Sequence, residues 1–176
     1  DGRFQVGPES ASAIPGPASY GKGGPLTVTD CNVLLGKLHP EHFPSVFGPN
    51  GNAPLDVEVV RKKFTELSKY VAQQTKKSQM DEISMAEGFL KIAIENMANA
   101  IKKISIQKGY DVTNYTMNCF GGAGGQHACH VADSLGITNV LVHPYAGVLS
   151  AYGMGLAEIR SIRERHFDKN LNQINE

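Results

Sequence analysis

Residues 117–130 read MNCFGGAGGQHACH, in which four glycines surround one alanine and two histidines follow closely. Because glycine has no Cβ, a glycine-rich backbone reaches positive φ and brings its N–H groups close to an anion or a flat base. The N-terminus of a following helix adds a partial positive charge and unpaired N–H donors. The stretch therefore predicts a nucleotide- or anion-binding loop, with a tight structural turn as the open alternative. Its glycines are Gly121, Gly122, Gly124 and Gly125.

The glycine spacing matches neither of the common phosphate-binding motifs. The Walker pattern GxxxxGK[ST] is absent, and GGAGGQH does not fit the GxGxxG pattern of dinucleotide-binding folds. His127 follows the loop directly and is well placed to hydrogen-bond a ligand or the loop backbone. His130 lies three residues later, but the pair lacks HExxH spacing and an evident third ligand, so a zinc site is disfavoured.

The segments around the loop predict a β-α-β-α order. YTMNCF (115–120) is a predicted strand, and QHACHVADSL (126–135) is a predicted helix that Gly136 ends. ITNVLVHP (137–144) is a β-branched run that predicts a buried strand, and residues 147–166 predict a second helix. Without a base beside them in the sequence, Cys119 and Cys129 are interpreted as buried apolar residues.

Two amphipathic helices are predicted before this unit. Residues 56–76 carry apolar side chains at helical spacing, and Asp56 is the expected N-cap. After the polar break KKSQMDE, a longer apolar stripe runs in steps of three and four and ends near Gly109. Both stripes are predicted to form core.

The beginning of the chain is rich in glycine and proline. Residues 1–25 are predicted to form an ordered loop, since proline removes backbone donors and favours extended neighbours. LTVTDCNVLLGKL (26–38) then predicts a short strand that enters a helix, with Asp30 at the junction. A helix cap is the commonest use of such an aspartate, and a magnesium or phosphate-side role is the sharper alternative.

Composition excludes several classes of function. The 17 basic and 17 acidic residues cancel, so no global field favours nucleic acid or an anionic membrane. No apolar run approaches the roughly 18 residues of a membrane span. The three cysteines have no CxxC spacing, which favours a reducing compartment, and a cytoplasmic location is predicted.

Three blocks closely resemble the hydantoinase A/5-oxoprolinase family. They are VGPESASAIPGPASYGKGGPLTVTDCNVLLGKL (6–38), CFGGAGGQHACHVADSLGI (119–137) and HPYAGVLSAYGMGLAEI (143–159). The resemblance implies an α/β chain that is part of an actin/hexokinase/acetate kinase-like ATPase fold. It corresponds to the C-terminal part of the hydantoinase A portion, with a helical insertion and a β-α-β-α segment.

The resemblance also implies a reaction and a site. ATP hydrolysis would drive the hydrolytic opening of 5-oxo-L-proline to L-glutamate, through phosphoryl activation of the amide oxygen. Gly121, Gly122, Gly124 and Gly125 would bind the adenosine side of ATP, with Gln126 and His127 at the edge. His127 and Asp30 are the candidate catalytic residues, and Asp30 would approach the phosphates or magnesium.

The implied organisation has three segments within residues 1–176. Residues 1–54 are the lead-in, strand-helix and connector, residues 55–109 the helical segment, and residues 110–176 the nucleotide-binding segment. Implied partners are the rest of the hydantoinase A portion, the hydantoinase B portion and a second copy in a homodimer. An ATP-dependent hydantoinase, a related carboxylase subunit and a noncatalytic nucleotide-binding or interaction module stay open as alternatives.

Overall fold

The computed structural model describes residues 3–166. The described residues form an α/β chain of helices and one small parallel sheet. Residues 1–2, at the beginning of the first predicted segment, and residues 167–176, at the end of the third, lie outside the described residues. In chain order the elements are α1 (Val28–Leu34), α2 (Val57–Thr75), α3 (Glu82–Gln107), β1 (Met117–Cys119), α4 (Ala128–Leu135), β2 (Val140–Val142) and α5 (Leu149–Leu156).

The two predicted amphipathic helices are confirmed as α2 and α3. The Asp56 side chain accepts a hydrogen bond from the Val59 N–H (2.9 Å), which makes it the N-cap of α2 as predicted. Asp81 caps α3 in the same way through the Ser84 N–H (2.9 Å). Gly109, at φ +73°, follows the end of α3. None of the helices within residues 3–166 is long and apolar enough to cross a membrane.

Two apolar cores are connected by α3. The first joins α1, α2 and the beginning of α3, where Val60, Phe64 and Met85 are at most 1% exposed. The second joins the later part of α3 to α4 and includes Ala98, Val131 and Leu135. Because α3 contributes to both cores, it connects α1 and α2 to the β-α-β unit.

The lead-in loop (residues 3–27) packs tightly at one point. Gly16–Ser19 are buried, and a Cβ on Gly24 would lie 1.8 Å from the Gly16 carbonyl oxygen, so only glycine fits there. The predicted strand before α1 was wrong, because α1 begins directly after its N-cap, Thr27. Pro25 has no N–H to give to a ladder, and its carbonyl accepts a single bond from the Ala18 N–H (2.9 Å).

The β-α-β order is confirmed, with one correction. β1 and β2 pair in parallel, with Met117 opposite Val140 and Cys119 opposite Val142. β2 was predicted to be buried, yet Leu141 and Val142 are 55% and 56% exposed, because no further element of residues 3–166 covers them.

The last helix is shorter than predicted. α5 ends at Leu156, and residues 157–166 form no regular structure. Gly153 and Gly155 lower the intrinsic stability of this helix, and none of its residues is buried. Propensity alone rarely maintains so short a helix, so its extension needs a packing partner.

Candidate functional site

The two loops after the parallel strands meet at one edge of the sheet. The first is the glycine loop (residues 120–127), and the second runs from residue 143 to residue 148. The Gly121 N–H donates to the Ala146 carbonyl oxygen at 2.8 Å, which joins the two loops. Ligands of open α/β sheets bind beyond the carboxyl ends of the strands. The glycine loop therefore lies where such a fold offers a binding site.

The glycines of this loop have different roles. Gly121 has φ +92°, a backbone conformation that residues with a Cβ rarely adopt. A Cβ on Gly124 would lie 3.0 Å from Cys119 Sγ, whereas a Cβ on Gly122 or Gly125 would meet no atom within 4 Å. Packing within the described chain therefore does not require glycine at Gly122 and Gly125. Because these two glycines have no side chain and open space lies in front of them, a ligand can approach their backbone closely.

The helix after the loop begins two residues later than predicted. Gly124–Gln126 form a 3-10 turn, His127 is the N-cap residue, and α4 starts at Ala128. The His127 N–H donates to the Gly124 carbonyl oxygen (3.1 Å), and the Gln126 N–H donates to that of Ala123 (3.2 Å). These bonds give the end of the loop a defined shape. Cys129, predicted to be buried, is exposed, whereas Cys119 is buried as predicted.

Asn32 and Lys37, which the sequence analysis missed, contact the end of the glycine loop. Asn32 Nδ2 donates to Gln126 Oε1 at 2.7 Å and lies 3.4 Å from His127 Nε2. Lys37 Nζ donates to the Gln126 carbonyl oxygen at 3.1 Å. These contacts join residues 89 to 95 positions apart, so no local spacing reveals them. A polar asparagine within the apolar run CNVLL was the available signal.

The surroundings of His127 favour its neutral form. Burial, together with the positive charge of Lys37 and the nearby His130, lowers the pKa of His127 below its ordinary value of 6.5. Its Nδ1 is buried and has no hydrogen-bond partner among the described residues. A neutral imidazole has one donor and one acceptor nitrogen, so His127 is chemically suited to a polar ligand.

Asp30 is fully buried and is occupied by donors from the chain itself. Its Oδ1 accepts from the Ser19 N–H (2.8 Å), and its Oδ2 accepts from the Ala18 N–H (3.1 Å) and from Thr27 N and Oγ1 (2.7 and 2.9 Å). Asp30 is thus the third residue of α1 within a capping box and not the N-cap itself. Beside it, burial and then the Asp30 charge raise the pKa of the Cys31 thiol to about 12.

The surroundings of Asp30 do not fit a magnesium ligand. Magnesium needs carboxylate oxygens that are free to coordinate it, and both Asp30 oxygens already accept hydrogen bonds. Across residues 3–166, no three His, Cys, Asp or Glu side chains lie close enough together to hold a metal ion.

An aromatic cluster, which the sequence analysis also missed, lies at the same edge of the sheet. The rings of His143, Tyr145 and Tyr152 have centroids 5.4 to 5.7 Å apart. Tyr145 is 55% exposed and Tyr152 is 42% exposed. The cluster adjoins the glycine loop through the bond between Ala146 and Gly121. Exposed aromatic faces beside a bare backbone suit a flat, partly polar ligand.

A separate cavity of about 900 Å³ lies between the lead-in loop and the first core. Its lining residues include the apolar Cys31, Phe64 and Phe89 and the polar Glu9 and Ser10. None of its lining residues belongs to the glycine loop. The cavity and the glycine loop are therefore two different features of the chain.

Comparison with known proteins identifies relatives across nearly the whole chain. The sequence model described as Hydantoinase/oxoprolinase matches residues 1–163. The chain is 51% identical over 160 residues to the 5-oxoprolinase of Saccharomyces cerevisiae, which covers 90% of this chain and 12% of the relative. It is 44% identical over 190 residues to the 5-oxoprolinase of Dictyostelium discoideum, covering 99% of this chain and 15% of the relative.

A solved structure has the same fold. The crystal structure of the ATP-dependent caprolactamase from Pseudomonas jessenii superimposes with a TM-score of 0.71 at 31% identity. The match covers 86% of this chain and 20% of the caprolactamase chain. Likewise, the present chain spans only about 12 to 15% of the length of the two 5-oxoprolinases described above.

Proposed function

Because this chain belongs to the hydantoinase/oxoprolinase family, we propose that it is part of an ATP-dependent 5-oxoprolinase. The whole enzyme would couple ATP hydrolysis to the opening of the 5-oxo-L-proline ring, with L-glutamate as the product. The observation that carries this proposal is the 51% identity to a 5-oxoprolinase over a segment that contains the open glycine loop.

The glycine loop is the proposed nucleotide-binding element. The backbone at Gly121, Gly122, Gly124 and Gly125 would approach the adenosine side of ATP, and the exposed rings of Tyr145 and Tyr152 offer a surface on which the base stacks. Gln126 and His127 would stand at the edge of the site, where neutral His127 donates or accepts one hydrogen bond. The open space at Gly122 and Gly125 supports this assignment.

ATP would supply the phosphoryl group that makes the amide carbonyl reactive toward water. The contribution of this chain is to bind and orient, which is the main source of catalysis in phosphoryl transfer. Asp30, proposed from the sequence as catalytic or metal-binding, is reassigned to holding the lead-in loop on α1. Magnesium commonly accompanies ATP phosphates, and we place its ligands outside Asp30.

The proposed protein is larger than this chain. The resemblance to an actin/hexokinase/acetate kinase-like ATPase implies that the rest of a hydantoinase A portion completes the cleft. A hydantoinase B portion and a second copy in a homodimer are further proposed partners. Cytoplasmic location and a place in glutathione turnover belong to the same proposal. The three free cysteines are compatible with a reducing compartment.

A second candidate function is ATP-dependent opening of a different cyclic amide. The caprolactamase structure favours it, since that enzyme is named for a lactam and is 31% identical to this chain. Both candidates use the same nucleotide-binding element. They differ only in the substrate that stimulates ATP hydrolysis.

The test is ATP hydrolysis by the full-length natural protein with and without 5-oxo-L-proline. Gly122→Leu should abolish the stimulated activity, because it fills the space in front of the loop, where the new Cβ meets no atom of the chain within 4 Å. Gly88→Leu is the matched control, since a Cβ at this α3 position also meets nothing within 4 Å. It should leave activity near that of the unmodified protein.

Each outcome has a distinct meaning. Stimulation by 5-oxo-L-proline that is lost only in Gly122→Leu supports both the reaction and the nucleotide loop. ATP hydrolysis that responds to caprolactam and not to 5-oxo-L-proline moves the assignment to the second candidate. A full-length protein without any ATP hydrolysis would favour the noncatalytic module.

A further inference from the structure

Two side chains of the α1 region hold the end of the glycine loop across a large sequence separation. Asn32 Nδ2 has two hydrogens, one of which is donated to Gln126 Oε1 (2.7 Å) while His127 Nε2 lies 3.4 Å away. The Lys37 ammonium donates to the Gln126 carbonyl oxygen (3.1 Å). Gln126 is thus held both at its side chain and at its backbone.

Local structure places Asn32 and Lys37 side by side. The Asn32 carbonyl oxygen accepts hydrogen bonds from the N–H groups of Lys37 (2.9 Å) and Leu38 (3.1 Å). Gly36, at φ +68°, allows the chain to turn back after α1 in this way. The turn therefore directs the lysine toward the same residue of the loop that Asn32 contacts.

A purely structural role explains Asn32 poorly. The residue is 1% exposed, and its Oδ1 has no hydrogen-bond partner among the described residues. A buried polar atom without a partner is destabilising, so an apolar side chain of similar size would suit the core better. What the asparagine adds is its contact with Gln126 and His127.

We propose that Asn32 and Lys37 are positioning residues, which fix Gln126 and His127 and thereby set the orientation of the glycine loop for its nucleotide. This inference deepens the proposed function and rests on it for the identity of the ligand. Neither residue needs to touch the nucleotide. Both act through Gln126, whose side chain and carbonyl they hold.

The kinetic test uses Asn32→Ala, Gln126→Ala and the double variant in the full-length natural protein. Loss of one hydrogen bond of ordinary strength should raise the KM for ATP by about three- to tenfold, with kcat nearly unchanged. The effect of the double variant should be smaller than the sum of the two single effects, because both single variants remove the Asn32–Gln126 contact. Asn99→Ala, at an exposed position of α3, is the matched control and should change nothing.

Lys37 is tested with its own pair. Lys37→Met keeps most of the apolar stem and removes the donor, so it should raise the KM for ATP, and Lys37→Arg should restore it in part. Lys91→Met, at an exposed position of α3, is the control. Additive effects of Asn32→Ala and Gln126→Ala, or an unchanged KM in the single variants, would overturn the proposal.

A second readout needs no nucleotide and no activity. Amide hydrogen exchange of the ligand-free protein should become faster at residues 121–127 in Asn32→Ala and stay unchanged in the middle of α3. If the protein proves inactive with ATP, this readout still tests the positioning role. Unchanged exchange in the loop would reject that role, whatever the ligand.

Discussion

One carboxylate joins three parts of the backbone at the beginning of the chain. Asp30 accepts hydrogen bonds from Ala18 and Ser19 in the lead-in loop and from Thr27 just before α1. Asp30 also lies two residues before Asn32, which contacts the glycine loop. A substitution at Asp30 should therefore disturb the lead-in loop directly. Any change in ATP binding at the glycine loop would be an indirect consequence.

Asp30→Asn should release the lead-in loop. The amide group cannot accept on its nitrogen side, so at least one N–H donor loses its partner. Exchange of the Ala18, Ser19 and Thr27 amides should accelerate by roughly tenfold or more, since a hydrogen bond to a charged group contributes about 1.5–3 kcal/mol. Hydrogen exchange of the full-length protein, read out at residues 17–28, measures this.

Asp81→Asn is the control for that substitution, because asparagine is also a good N-cap and α3 should be unaffected. Equal exchange at residues 17–28 in Asp30→Asn and the unmodified protein would contradict the assigned role of Asp30.

At the scale of elements, the spacing of apolar residues correctly predicted the helices and strands whose formation depends on interactions between nearby residues. The helices α2 and α3 followed from apolar steps and from the cap at Asp56, because helix formation depends on neighbours three and four residues apart. The parallel pair and its glycine loop followed from strand and turn residues. The burial of β2 and the length of α5 could not be predicted, since both depend on what packs against them.

The same limit applies to the site. The glycine loop was visible in the sequence because its unusual composition is local. Asn32 and Lys37 were not, because their contacts depend on how α1, α3 and α4 pack together. Asp30 was correctly placed at the beginning of a helix, but its partners at residues 18 and 19 come from a loop without periodicity.

The contact between α3 and α4 should control where the glycine loop lies. Ala98 is fully buried against α4, whose Ala132 is 2% exposed. Ala98→Met should force the helices apart, cost about 1–3 kcal/mol of stability and raise the KM for ATP, because α4 follows the loop directly. Thermal denaturation and ATP kinetics of the full-length protein measure both effects.

Ala100→Met is the matched control, since Ala100 lies on the exposed side of the same helix. Comparable kinetics in Ala98→Met and Ala100→Met would show that the spacing of α3 and α4 does not influence the loop.

At the scale of the whole molecule, the β2–α5 side carries apolar side chains that nothing else within residues 3–166 covers. Its members are more than half exposed, namely Phe120, Leu141, Val142, Val148, Met154 and Leu156. A parallel sheet is normally covered on both faces, and a two-stranded sheet is marginal by itself. Because this chain covers only 20% of the caprolactamase chain that shares its fold, we expect the rest of a hydantoinase A portion to cover this surface.

The 176-residue chain alone should therefore self-associate at micromolar concentrations, because large exposed apolar patches drive association. Replacing Leu141, Val148 and Leu156 with serine should shift it toward monomer in sedimentation velocity. The same replacement at Tyr70, Ile83 and Ile104, which are exposed on α2 and α3, should have a smaller effect. A monomeric unmodified chain with a single cooperative melting transition would mean that this surface needs no cover by another part of the protein.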